Sequence, residues 1–109
     1  MKHNKLVRDH VPQRITTDGR KCVYRQASDK EFQTKLLQKF YEDVREFLNS
    51  TQIEDKKEKL ADLHEVCEQL MDSYGIQKEE VRMIKESKRV EFGSFKERRI
   101  LEEEEIFIV

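Results

Sequence analysis

Two stretches of this chain place apolar residues every three or four positions over about 20 residues, a period that only an amphipathic helix satisfies. In the first, Phe32, Leu36, Leu37, Phe40, Val44, Phe47 and Leu48 share a stripe centred near Phe40. In the second, Leu60, Leu63, Val66, Cys67, Leu70, Met71 and Tyr74 do the same. Each opens on a start signal, Ser28-Asp29-Lys30-Glu31 and Thr51-Gln52-Ile53-Glu54, both of the S/T-x-x-E form in which side chains satisfy the unpaired N–H groups of the first turn. Asn49-Ser50 ends the first and Gly75 is a natural stop for the second. The expected fold is therefore mainly α: a small helical bundle whose two long helices, about 28–49 and 52–74, are antiparallel because the link between them is short. A third helix is expected over about 77–91, with Val81, Ile84 and Met83 on a narrow apolar side.

The ends are less regular. Asp9 or His10 leads into a short helix with Pro12 in its first turn, running to about Thr16, and Asp18-Gly19 marks a turn. Lys21 to Arg25 has strand-like composition, and a short strand is expected near 21–25. A second is expected near 99–108, where Ile106-Phe107-Ile108-Val109 follows four glutamates. That tail pairs with another strand, docks on a partner, or is a sticky end. Only 3 Gly and 1 Pro among 109 residues argue against an all-β fold rich in tight turns.

Composition excludes several functions. Charged residues make up 41% of the chain, yet 22 Lys+Arg against 23 Asp+Glu leave a net charge of -1, which gives no strong nucleic-acid signal. No apolar run reaches the roughly 18 residues of a membrane span. The start, Met1-Lys2-His3-Asn4-Lys5, lacks the apolar segment of a secretory signal, so a cytoplasmic location is expected. Cys22 and Cys67 stand alone, without the four-ligand spacing of zinc, and read as small apolar residues. A chain this short is expected to form one domain, 1–109, with a thin core and self-association to help it.

The helical wheel makes the acids informative. Asp43 falls about 60° from the stripe centre and Glu46 about 120° on the same side, while Glu42 points to solvent. Asp43 and Glu46 are i,i+3 neighbours, as are Asp62 and Glu65 on the second helix. Four carboxylates brought together repel one another and call for a positive charge, for which Mg²⁺ is the usual answer. The plain alternative is a solvated charged face, with Lys39 and Lys59 in ordinary helix-surface ion pairs.

At these residues the chain resembles a known family. Asn4-Lys5-Leu6-Val7-Arg8-Asp9 followed by Val11-Pro12 is similar to the KLVRDKIPE signature of small MazG-like proteins, often labelled phosphoribosyl-ATP pyrophosphohydrolase-like. Lys39 to Leu48 is similar to that family's KLxEEvxEfl helix, Glu58 to Val66 to its EELADvlEv segment, and Lys88 with Gly93-Ser94-Phe95 to its K…RGGF ending. The matches run in order along nearly the whole chain; KLVRD and LAD are the specific ones.

The resemblance implies an all-α nucleoside triphosphate pyrophosphatase that is helical and oligomeric. It would bind Mg²⁺ through ExxE and ExxD on neighbouring helices and cleave between the α and β phosphates. Asp43 and Glu46 take the ExxE positions and Asp62 the last position of ExxD. The chain departs from the pattern at Asp43 (for Glu), at His10 (for Lys), at Phe92 (for Arg) and, most tellingly, at Lys59, which inverts a charge at a ligand position. Glu65 or Glu58 covers that loss, or the site is weakened or dead.

The expected activity is house-cleaning hydrolysis, NTP plus water to NMP and pyrophosphate, with Mg²⁺ held by Asp43, Glu46, Asp62 and Glu65. Glu46 would be the catalytic base, and Lys5, Arg8 and Lys88 would contact the phosphates. Tyr41 and Phe95 either stack on a base or serve core and interface. The alternatives are a catalytically weakened nucleotide-binding or regulatory paralogue, and a helical interaction module using the tail.

Overall fold

A computed structural model describes residues 3–105. The chain is mainly helical: α1 (Val11–Thr17), α2 (Asp29–Asn49), α3 (Ile53–Ser73) and α4 (Lys78–Phe92). Among the described residues there is no strand. Residues 21–25, expected as one, are extended chain with Val23 fully exposed, since no second segment offers them a ladder of hydrogen bonds. Residues 99–105 are likewise not a strand, and the rest of that expected element lies outside the described residues.

The helix boundaries follow local chemistry. Pro12 sits in the first turn of α1, where its missing N–H removes no bond, and Asp18 N–H donates to Arg14 O at 3.0 Å to close it. Ser28 caps α2 as expected, its Oγ accepting from Glu31 N–H at 3.3 Å. Glu31 does not complete the reciprocal bond; its carboxylate takes two bonds from the Arg25 guanidinium, at 2.6 and 2.7 Å. The second expected box does not form. α3 begins one residue later, with Gln52 preceding it and making no side-chain cap, so the Thr51 hydroxyl comes too early in the chain to reach the first turn. Gly75, at φ +68, supplies the left-handed residue after α3 that a side chain would strain.

By its internal contacts the chain divides into two compact units, Met1–Gln77 and Lys78–Val109. In the first unit α2 lies along α3, and the start of each meets the end of the other. Gln33 Nε2 donates to Ser73 O at 2.8 Å at one end of the pair. At the other, Lys56 Nζ donates to Phe47 O at 3.1 Å and lies 4.7 Å above the Phe47 ring. That ammonium satisfies a carbonyl at the negative end of α2, where the helix dipole favours a cation.

The core is thin. Among the described residues the buried apolar side chains are Leu36, 2% exposed, and Val66, 7% exposed. The apolar stripe of α2 is wider than α3 alone can cover, so Leu37 and Leu48 remain exposed, as does Leu60 on α3. The second unit contains α4, whose Val81 is half-buried while Met83 and Ile84 are exposed. Among the described residues no helix is long and apolar enough to cross a membrane.

Candidate functional site

Asp43 is 0% exposed, the most buried polar residue of the described chain. It lies seven positions after Leu36, hence on the same face of α2, and is drawn into the seam with α3 instead of resting at its margin. Neither carboxylate oxygen has a hydrogen-bond partner. Lys39, one turn earlier, brings its ammonium to 3.4 Å of Oδ1, an ion pair too poorly directed to be a hydrogen bond. Burial pushes the Asp43 carboxyl above its usual range. Lys39 opposes the shift, and the neighbouring Asp62 and Glu46 charges add to it.

Lys59 stands between two of these acids. Its Nζ lies 2.8 Å from Glu46 Oε2 on α2 and 3.9 Å from Asp62 Oδ2 one turn along α3. The bond holds the Glu46 carboxyl below its usual range and raises Lys59 above the ordinary lysine value. Asp62 also accepts a 2.9 Å bond from Arg8 Nη2. Three carboxylates, Asp43, Glu46 and Asp62, thus share a small volume with three cations, Lys39, Lys59 and Arg8.

The N-terminal segment is laid across this face by a series of contacts. Asn4 adopts a left-handed φ of +49, tolerable for Asn, and its carbonyl accepts from Lys35 Nζ at 2.9 Å. Lys5 then reaches Glu42 Oε1 at 3.1 Å, and Arg8 reaches Asp62. Glu42, expected in open solvent, is half-buried because this segment lies over it. Lys5 and Arg8 themselves stay exposed, with ammonium and guanidinium accessible to a ligand.

The structure therefore brings together Lys5, Arg8, Asp43, Glu46 and Asp62 of the residues expected at the site. Glu65 makes none of these contacts; it accepts from Gln69 Nε2 at 3.3 Å and lines a shallow hollow with His64 and Glu68. Its bond is to Gln69 on its own helix, and among the described residues no contact joins it to Asp43, Glu46 or Asp62. Lys88 is an exposed residue of α4, in the second unit. On the wheel Asp43 lies about 60° from the stripe centre but only about 20° from Leu36, and that i,i+7 relation was the signal for its burial. Beside Glu46, an open hollow of about 690 Å³ runs along α2 past Leu37, Tyr41 and Arg45.

The donor chemistry suits a hard divalent cation: carboxylate oxygens from two helices, two of them buried and without hydrogen bonds. The spacing does not, as the side chains lie. Among the described residues no three His, Cys, Asp or Glu side chains form a group able to hold a metal ion, and an ammonium stands between Glu46 and Asp62.

No family model matches the chain, and no curated protein and no solved structure is significantly similar to it.

Proposed function

We propose that this chain is a nucleoside triphosphate pyrophosphohydrolase, converting NTP and water to NMP and pyrophosphate in the presence of Mg²⁺. The observation that carries the reading is that Glu46 of α2 and Asp62 of α3 share one cation, Lys59, with buried Asp43 near both acids and two exposed cations, Lys5 and Arg8, on Glu42 and Asp62. The sequence resemblance to MazG-like proteins supports the same assignment.

When bound, Mg²⁺ neutralises phosphate charge and acidifies a water. Asp43, Glu46 and Asp62 would hold it only with the Lys59 ammonium displaced, since as the side chains lie no three acids among the described residues form a group for a metal ion. Glu46, on the open side of α2, accepts the proton of the attacking water. Arg8 offers the phosphates a bidentate grip, and Lys5 adds a point charge. Tyr41, exposed on the hollow that Glu46 also lines, is the aromatic placed to stack on a base. The apolar residues left bare, Leu37, Leu48 and Leu60 among them, support a homo-oligomer as the working form.

The test is release of pyrophosphate from a panel of standard and modified nucleoside triphosphates by purified protein with Mg²⁺. A second reading is favoured by the 2.8 Å contact of Lys59 with Glu46, which neutralises the base: a nucleotide-binding protein without turnover. Thermal stabilisation by nucleotide with no product selects that reading, because a ligand that binds only the folded state raises its apparent stability.

A further inference from the structure

We propose that one face of α4, with the turn that follows it, binds single-stranded nucleic acid: Lys85, Lys88 and Arg89 take the phosphates, and Phe92 and Phe95 stack on bases. The inference does not rest on the hydrolase reading and concerns the second unit alone.

The net charge of -1 averages over the chain and hides how charge is sorted on this helix. At about 100° per residue, Lys85, Lys88 and Arg89 all fall within about 60° of Phe92, whereas Glu79, Glu80, Glu86 and Glu91 all lie about 100° or more away. The face is therefore cationic and holds no acid. Its three cations are exposed and make no ion pair among the described residues, unlike Arg82 at the edge of the face, which Glu79 engages.

The same face carries aromatic rings in water. Phe92 is 77% exposed and Phe95 98% exposed, although a phenyl ring is a group that folding normally hides. Gly93, at φ +85, follows the helix, and Arg98 N–H donates to Phe95 O at 3.1 Å, so a turn carries the second ring just after the first in the chain. That turn adds Lys96, Arg98 and Arg99, all exposed. Charge and rings together select the partner. Phosphates satisfy the cations, and the rings bind base faces, which a single strand presents and a duplex keeps stacked. An anionic membrane is a poorer match, because it needs one continuous apolar face, and Met83 and Val90 stand nearly opposite Phe92 on the wheel.

The experiment is fluorescence anisotropy of labelled single-stranded DNA and RNA of about 12 nucleotides with the full chain, over a series of salt concentrations. Binding is expected at low salt, with a slope of log affinity against log salt of about -2 or steeper, the value for three neutralised phosphates. Phe95→Ala is expected to weaken binding about fivefold or more, and Phe95→Tyr, which keeps a ring, to restore most of it. Lys85→Gln combined with Arg89→Gln is expected to flatten the salt slope by about 1.4. Lys57→Gln removes a like charge on α3, at an exposed pair with Glu54, and is expected to bind as the unaltered chain does. No single-strand binding at low salt, equal affinity for a duplex of the same length, or undiminished binding in Phe95→Ala overturns the proposal. Binding to phosphatidylserine vesicles alone also overturns it. So does binding that arises only when Glu102 to Glu105 are changed to Gln, since the chain's own acidic run is then the occupant. Ultraviolet cross-linking of iodouracil-containing single strands to the unaltered protein, read by mass spectrometry, needs no variant. Cross-links at Phe92 or Phe95 are expected, and the lack of one at either ring overturns the proposal.

Discussion

Lys59 on α3 and Glu46 on α2 meet at 2.8 Å, with Asp62 3.9 Å from the same ammonium, so one lysine ties together acids of two helices. Both partners are about a third exposed, which limits the pair's own contribution to folding to about 1 kcal/mol or less. Its larger consequence is chemical: while it lasts, Glu46 is not free to take a proton.

Glu46→Gln is expected to abolish pyrophosphate release while lowering stability by no more than about 1 kcal/mol. Turnover and urea denaturation measured on one preparation separate the two effects. Full activity in this variant would remove Glu46 from the role of base.

Asp43→Asn is expected to make the protein more stable at neutral pH, by about 1–3 kcal/mol, because it replaces a buried charge lacking hydrogen bonds with a neutral group. The sign in pH follows from the raised Asp43 carboxyl. The folded state holds the proton to higher pH than the unfolded one, so this group's contribution falls as pH rises from about 3.8 through the raised value. Glu46 acts in the opposite sense: its stabilisation is present above about 4.5 and lost as pH falls through its lowered value. The gap between Asp43→Asn and the unaltered chain should widen with rising pH across the Asp43 window. Denaturation at a series of pH values reads it, and a constant gap would contradict the burial argument.

Leu36→Ala is expected to cost about 2–4 kcal/mol, a large part of what so thin a core can supply. Loss of cooperative thermal unfolding, followed by circular dichroism, is the readout. By comparison Ser28→Ala, which removes the α2 cap, should cost about 1 kcal/mol.

Sedimentation is expected to give a mass above the 13.2 kDa of one chain, since Leu37, Leu48 and Leu60 are left exposed on the long helices. Leu48→Lys is expected to lower that mass. A monomer at all concentrations would argue against an oligomeric working form.

Short-range signals account for what was legible beforehand. The α2 cap at Ser28, the stop at Gly75 and the first turn at Pro12 are each settled within four residues of chain, so they can be read as letters. The same reasoning fails where a second segment is needed: the 21–25 stretch has the composition of a strand and no neighbour to pair with. It also fails by one residue at Thr51, because α3 starts at Ile53.

The sequence by itself determined the helices, because apolar period and end signals are local properties, and it singled out Asp43, Glu46, Asp62 and Glu65 by their i,i+3 spacing. Only the tertiary structure decided what those acids do to one another. Packing α2 against α3 buried Asp43 completely, left Glu65 bonded to Gln69 of its own helix and brought the Lys59 ammonium between Glu46 and Asp62. Coulombic interactions depend on distance through space and on exclusion of water, and neither is written in positions along a chain.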